Sequence, residues 1–157
     1  GDQIYDLDTI QKIQNLLEIE PECDFIYGKS IMINDQDQII GEMIKRAPRV
    51  LSKKSFLNGL VICHQSVILR KDIVSKYNLE YKIASDYDWV IRAFQNSKCQ
   101  GYIDQYISKY LAAGISIQKK EIAWKERFMI MQNHFGIIKT LWAHALIIIR
   151  YPFTRKY

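Results

Sequence analysis

Two aspartates spaced two residues apart carry the most specific chemical signal in the sequence. Asp86 and Asp88 stand at the start of residues 85–96, whose apolar residues recur at helical spacing. A carboxylate at a helix N-terminus is stabilised by the helix dipole. There it serves either as a plain cap, a role that Ser85 or Asp86 can fill, or as a general base at a cleft. The residues alone leave both interpretations open.

Three consecutive polar residues, His64, Gln65 and Ser66, interrupt an apolar segment at residues 60–70. They are unusual in a buried strand, because each buried polar side chain needs a hydrogen-bonding partner. One interpretation is a satisfied network within the core. The other is a pocket for a polyhydroxylated ligand, since amide and imidazole groups both donate and accept hydrogen bonds.

Two other segments carry weaker signals. Gly114-Ile115-Ser116, with Lys119-Lys120 behind it, offers small residues, a hydroxyl and two cations that can surround a phosphate. A flexible loop followed by solvated lysines has the same composition. Asp2, taken by itself, has the properties of a stray surface acid.

The elements that must position these residues follow from periodicity and turn residues. The predicted helices are residues 8–20, 71–77, 85–96, 121–133 and 137–151. The predicted strands are residues 24–28, 30–33, 38–43, 62–70 and 101–111, of which the second and third form a hairpin. Because strands and helices are mixed along the chain, we predict an α/β fold with a mixed sheet flanked by helices.

The charge distribution argues against a nucleic-acid-binding surface. The chain has 157 residues and a net charge of +5, but residues 1–126 hold as many acids as bases. The last 31 residues hold five bases and no acid. A neutral body with a basic end does not bind nucleic acid through a diffuse basic surface.

The cysteines indicate a reducing compartment. Cys23, Cys63 and Cys99 are odd in number and form no Cys-x-x-Cys pair, so we expect free thiols rather than a disulfide framework or a structural zinc site. The first residues also lack the composition of a signal peptide. We therefore expect a cytoplasmic protein.

Taken in chain order, these segments resemble the second half of a family 2 glycosyltransferase, and most closely the bacterial enzymes that build surface polysaccharides. The resemblance covers about residues 1–135. Its motifs are Gly1-Asp2, Phe25-Ile26-Tyr27-Gly28, Cys63-His64-Gln65-Ser66, Ser85 to Arg92, and Gly114-Ile115-Ser116. It implies a partial GT-A fold and an inverting transfer of sugar from a nucleotide-sugar donor to a saccharide or lipid-linked acceptor.

The resemblance also implies a role for each matching residue. Asp86 matches the acid that deprotonates the acceptor hydroxyl. Asp2 matches the last acid of the motif that holds Mg²⁺ or Mn²⁺ on the donor diphosphate, and Ser116 lies on the loop that approaches this diphosphate. The residues that match the acceptor side are His64, Gln65, Asp88, Trp89 and Arg92.

The nucleotide-binding first half of such enzymes has no counterpart in this sequence. We therefore expect a fragment of a longer enzyme, inactive alone or paired as a homo-oligomer through the sheet edge that the absent strands would cover. The alternative is a non-catalytic binding or assembly module, in which Asp86 only caps a helix.

Two regions are expected along the chain. Residues 1–135 form the acceptor-side half of a catalytic domain, and residues 136–157 form an amphipathic basic helix. Residues 137–157 combine apolar and aromatic residues with a basic end, which is typical of a helix in the interface of an anionic membrane. The resemblance makes the inner membrane face the expected location, and packing of this helix on the domain is the other interpretation.

Overall fold

The structure is a computed structural model that describes residues 3–43, 46–112 and 119–154, with side chains up to residue 149. The helices are α1 (Thr9–Ile19), α2 (Ser85–Asn96), α3 (Lys120–Phe135) and α4 (Ile137–Thr154). The strands are β1 (Gln3–Ile4), β2 (Phe25–Ile33), β3 (Ile39–Glu42), β4 (Val67–Leu69) and β5 (Gln100–Leu111). The predicted fold class is confirmed, because these five strands form one mixed sheet flanked by helices.

Strand β2 lies at the centre of the sheet. It pairs in parallel with β5 along one side, and its other side pairs antiparallel with β4 and then with β3. β1 continues the sheet beyond β5, opposite Ser108 and Lys109. Within the described residues, the first half of β5 has no strand partner on that outer side. Self-association through this edge stays a prediction.

β2 is one strand where the sequence predicted two. Gly28 was expected to end the first of them, but it continues the ladder and pairs with Ile103 of β5. A Cβ atom at this position would lie 3.0 Å from the side chain of Ile107. The glycine therefore serves close packing of β5 on β2 rather than termination.

The predicted strand at residues 62–70 is mostly wrong. Only Val67–Leu69 is extended, and His64–Ser66 forms a 3₁₀ turn closed by a hydrogen bond from the Ser66 N–H to the Cys63 carbonyl. The polar side chains explain the turn, because their partners lie in different directions. The predicted helix at residues 71–77 is likewise reduced to a 3₁₀ turn at Lys71–Ile73.

Helices cover both faces of the sheet. α1 packs on one face, over Ile26, Ile103 and Ile107. The other face carries a larger core around Phe25 and Tyr27, to which α2, α3 and α4 contribute. Successive residues of β2 point to opposite faces, which is why one strand supplies both cores.

α3 and α4 are separated by a single residue, Gly136. Its φ of 83° is a conformation that favours glycine, and its N–H donates to the carbonyl of Gln132 at 2.9 Å. This confirms the predicted stop of the helix before it. α4 begins at the next residue, packs against α3 and continues to Thr154, three residues beyond its predicted end.

Candidate active site

A cavity of about 550 Å³ lies between the start of α2, the turn at residues 63–64 and α3. Its apolar lining includes Leu60 and Ile62. Its polar lining residues are His64, Lys82, Asp86, Tyr87, Tyr110 and Arg127. Two residues that the sequence analysis singled out, Asp86 and His64, therefore meet at one cavity.

The Asp86 carboxylate is held in one direction. Its Oδ2 atom lies 3.1 Å from Nδ1 of His64, and each of the two side chains is 29% exposed. Its Oδ1 atom accepts a hydrogen bond from the backbone N–H of Tyr87 at 2.8 Å. A carboxylate that is oriented, partly shielded and still reachable from the cavity has the geometry of a general base.

No side chain of α2 occupies the N-cap position. That position belongs to Ala84, so the predicted N-cap role of Ser85 or Asp86 is wrong. The physical reason is that Ser85 and Asp86 already lie within the first turn of α2, so neither has the flanking position from which a side chain caps. The Asp86 side chain is directed to His64 and the cavity.

The carboxylate that binds this backbone belongs to Glu126 of α3. It accepts three hydrogen bonds, each 2.8 Å long, from the N–H groups of Lys82, Ile83 and Ala84. Burial raises the pKa of Glu126, but the three hydrogen bonds lower it by more, so the pKa lies below its ordinary value. Glu126 thus fixes the chain just before the helix that carries Asp86.

Asp88 faces away from Asp86, because two residues along a helix correspond to a rotation of about 200°. It is buried and bonded at both oxygens: Oδ1 lies 2.7 Å from Nε2 of His134, and Oδ2 accepts from Nε of Arg92 at 2.7 Å. Burial raises the Asp88 pKa, but the hydrogen bonds from His134 and Arg92 lower it by more, so the pKa lies below the ordinary value.

Trp89 and Arg92 tie α2 to the chain that precedes it. The Trp89 indole N–H donates to the carbonyl of Ser75 at 2.7 Å, and its ring stacks on Tyr77 at 5.3 Å. The Arg92 guanidinium donates to the carbonyl of Lys76 at 2.8 Å. Neither residue lines the cavity, and neither does Asp88.

The buried Asp88 predicts an acid dependence of stability. Because its folded pKa lies below the ordinary value of 3.8, its ionised form stabilises the fold above that value, and this contribution is lost as the pH falls through the folded pKa. We expect the free energy of unfolding to fall on acidification below about pH 4, and Asp88→Asn to flatten this dependence. Urea unfolding at a series of pH values measures it.

The matched control for that measurement is Asp35→Asn, in the exposed turn between β2 and β3. It should leave the acid dependence of the wild type in place. An Asp88→Asn variant that kept the full dependence would show that other carboxylates cause it.

The polar run at residues 64–66 serves two separate purposes. Ser66 is completely buried, and its hydroxyl bonds to Ser108 at 2.7 Å and to Ser30. This is the satisfied core network that the sequence left open. His64 is the cavity residue, whereas Gln65 does not line the cavity and contacts the thiol of Cys63 at 3.9 Å.

Asp2 and Ser116 lie outside the described residues. Gln3, the residue after Asp2, pairs with Lys109 of β5, and the next residue of β5, Tyr110, lines the cavity. The segment that contains Ser116 connects β5 to α3, whose Ala123 and Arg127 also line the cavity. Described residues that line the cavity thus stand on both sides of Ser116, and the residue after Asp2 pairs next to one of them.

The described residues contain one cluster with the donor atoms of a metal site, namely Glu20, Cys23 and Cys99. Its two cysteines belong to the core under α1, on the face of the sheet opposite the one that bears the cavity. Mg²⁺ and Mn²⁺ prefer oxygen ligands to thiols, so this cluster does not fit the predicted ion. At the cavity, the described lining offers one carboxylate, Asp86, and it is paired with His64.

Sequence reasoning missed four residues of α3 and of the chain before α2. Lys82 and Arg127 line the cavity, Glu126 binds the backbone before α2, and His134 bonds to Asp88. Glu126 and Arg127 are adjacent opposite charges on a helix, a pattern typical of a solvated surface. One further contact was missed although its residues were named: Asp88 and Arg92 stand at i, i+4, a spacing that predicts a helical ion pair.

No family model matches the chain. It is similar to a PGL/p-HBAD biosynthesis glycosyltransferase of Mycobacterium bovis (strain BCG / Pasteur 1173P2) and to a protein of the same name from Mycobacterium tuberculosis (strain ATCC 25177 / H37Ra). Each is 29% identical over 98 residues, which are 60% of this chain and 35% of the length of the relative. These similarities relate the chain to glycosyltransferases.

Proposed function

We propose that this chain forms the acceptor-side part of the catalytic domain of an inverting, nucleotide-sugar-dependent glycosyltransferase of family 2, with a GT-A-like sheet. The observation that carries the proposal is the Asp86 carboxylate, oriented by His64 and the Tyr87 N–H at the edge of the cavity. The relation to glycosyltransferases supports sugar transfer as the reaction class.

The proposed step is a single displacement. A hydroxyl of the acceptor attacks the anomeric carbon of the donor sugar and loses its proton to Asp86 in the transition state. As the new C–O bond forms, the bond from the anomeric carbon to the diphosphate breaks, and the leaving nucleoside diphosphate takes the electron pair. His64 keeps the receiving oxygen in place through its Nδ1 contact.

The charge of the cavity supports an anionic donor. Lys82 and Arg127 contribute two permanent cations to the described lining, against the single carboxylate of Asp86. Cations near the leaving diphosphate stabilise the negative charge that develops on it. We propose Ser116 as a further ligand of the diphosphate, which the position of Tyr110 and Ala123 on either side of its segment supports.

We also propose Mg²⁺ or Mn²⁺ as the cofactor, with Asp2 as a ligand. When bound, such an ion would neutralise part of the charge on the donor diphosphate. The support from the described residues is the pairing of Gln3 with Lys109, next to the cavity residue Tyr110.

The proposed acceptor is a saccharide or a lipid-linked saccharide for surface polysaccharide biosynthesis at the cytoplasmic side of the membrane. The relatives are named for PGL/p-HBAD biosynthesis. A cavity of about 550 Å³ falls within the range of about 300–1,000 Å³ that is typical of small-molecule sites.

The proposal is tested with the full-length gene product and a panel of nucleoside-diphosphate sugars, with release of the nucleoside diphosphate as the readout. We expect turnover of at least one donor with Mn²⁺ or Mg²⁺ and loss of turnover in EDTA, restored by added Mn²⁺. Turnover that is unaffected by EDTA would refute the metal. Absence of turnover with every donor, with and without lipid extract as acceptor source, would favour the binding or assembly module.

A further inference from the structure

Helix α4 has one face buried against the domain and an opposite face that is apolar and exposed. Thr140, Ala143 and His144 are buried against the domain, and Ile147 on the same stripe is half-buried. These positions follow the spacing i, i+3, i+4, i+7 of one helix face. Packing against α3 and the core therefore needs this stripe alone.

The opposite face of α4 is apolar and exposed. Its residues are Ile138 (80% exposed), Leu141 (55%), Trp142 (70%), Ala145, Ile148 (63%) and Ile149 (63%). They recur at i, i+3, i+4, i+7, i+10 and i+11, so they form one continuous stripe about 120° wide along three turns. A contiguous exposed apolar surface of this kind marks an interaction site.

The charges around this stripe identify the partner. Lys54 and Lys139 flank Trp142 in a shallow groove of about 410 Å³ between α4 and the 3₁₀ turn at Lys53–Asn58. Residues 127–157 hold five bases and no acid. An apolar stripe that borders Lys54 and Lys139, on a segment of the sequence that holds no acid, is complementary to an anionic lipid surface.

The helix itself limits how deeply it can enter a membrane. Among the described residues, no helix is both long and apolar enough to cross a bilayer. One face of α4 is committed to the protein core, so only the outward stripe is available to lipid. Trp142, which is 70% exposed on that stripe, has the apolar ring and polar N–H that place tryptophan at membrane interfaces.

We propose that the outward stripe of α4, residues 138–149, binds the surface of an anionic membrane with the helix lying in the plane of the interface. The proposal rests on exposure and charge and is independent of the proposed sugar transfer. Its ligand is the lipid surface itself, with apolar contact supplied by the stripe and electrostatic attraction supplied by the basic flank.

The test is sedimentation of the full-length gene product with vesicles of phosphatidylcholine containing phosphatidylglycerol, and with phosphatidylcholine vesicles alone. We expect binding to the anionic vesicles that weakens with added salt, because surface charges are screened. Leu141→Asp should lower the partition coefficient by roughly tenfold or more, because the leucine side chain that the lipid would bury is lost.

The matched control is Ile10→Asp, on an exposed position of α1 that is 52% exposed, against 55% for Leu141. α1 covers the opposite face of the sheet, so this variant should bind as the wild type does. Equal binding of wild type and Leu141→Asp, an equal loss in Ile10→Asp, or equal binding to neutral vesicles would overturn the proposal. So would concentration-dependent self-association without vesicles that Leu141→Asp abolishes, because the stripe would then join two copies.

Discussion

Asp86→Asn should lower kcat for sugar transfer by about 10²–10⁴-fold, the usual contribution of a general base. Asparagine has the same shape and still accepts the hydrogen bond from the Tyr87 N–H. It cannot take a proton from the acceptor hydroxyl, so the loss should fall on kcat rather than on the KM of the acceptor. Steady-state kinetics of the full-length gene product with its donor measures both parameters.

The control for this variant is Asp72→Asn, the same substitution at a surface site. Asp72 is 62% exposed and pairs with Arg70, a surface ion pair whose removal changes stability little. Its kcat should equal that of the wild type. Full transfer activity in Asp86→Asn, with the fold intact by circular dichroism, would remove Asp86 from the reaction.

Glu126→Ala should have the largest effect on stability, on the order of 3 kcal/mol of unfolding free energy. The substitution removes one charged acceptor and leaves the N–H groups of Lys82, Ile83 and Ala84 without their carboxylate partner. Unsatisfied donors next to the core are costly because water cannot replace the lost bonds fully. Urea unfolding at neutral pH, followed by far-ultraviolet circular dichroism, measures the change.

Glu121→Ala is the matched control, since Glu121 is an exposed acid on the first turn of the same helix. It should change the unfolding free energy by less than about 1 kcal/mol, the upper range of a charge–dipole contribution at a helix end. If both variants lost the same amount, the removal of a negative charge from the N-terminal half of α3, rather than the three hydrogen bonds, would be responsible.

The sequence predicted the helix of Asp86 well because its signal is local. Residues 85–96 combine a first-turn acid with apolar periodicity, and α2 begins and ends as expected. The same local logic failed at residues 62–70. There the apolar residues indicate a strand, but Ser66 bonds to hydroxyls on β2 and β5 while His64 turns toward α2. Partners on different elements override a periodic pattern.

Only those residues of the site that stand in a local sequence motif could be predicted. Asp86 and His64 stand in conspicuous motifs, whereas Glu126 has no signal of its own, because its partners lie 42 to 44 residues earlier in the chain. Asp88, Trp89 and Arg92 share a motif with Asp86, yet helical rotation turns them to other neighbours. Closeness in sequence therefore indicated a common region but not a common surface.

The large sequence separation between Glu126 and its hydrogen-bond partners sets an order of assembly. The chain emerges from the ribosome N-terminus first, so α2 is complete before α3 has been made. The backbone at residues 82–84 receives its carboxylate only after 44 further residues have been added, counted from Lys82 to Glu126. A chain that ends ahead of α3 carries the aspartate motif without the carboxylate that fixes the backbone before its helix. The helix of the candidate base therefore gains its full support only from the C-terminal side.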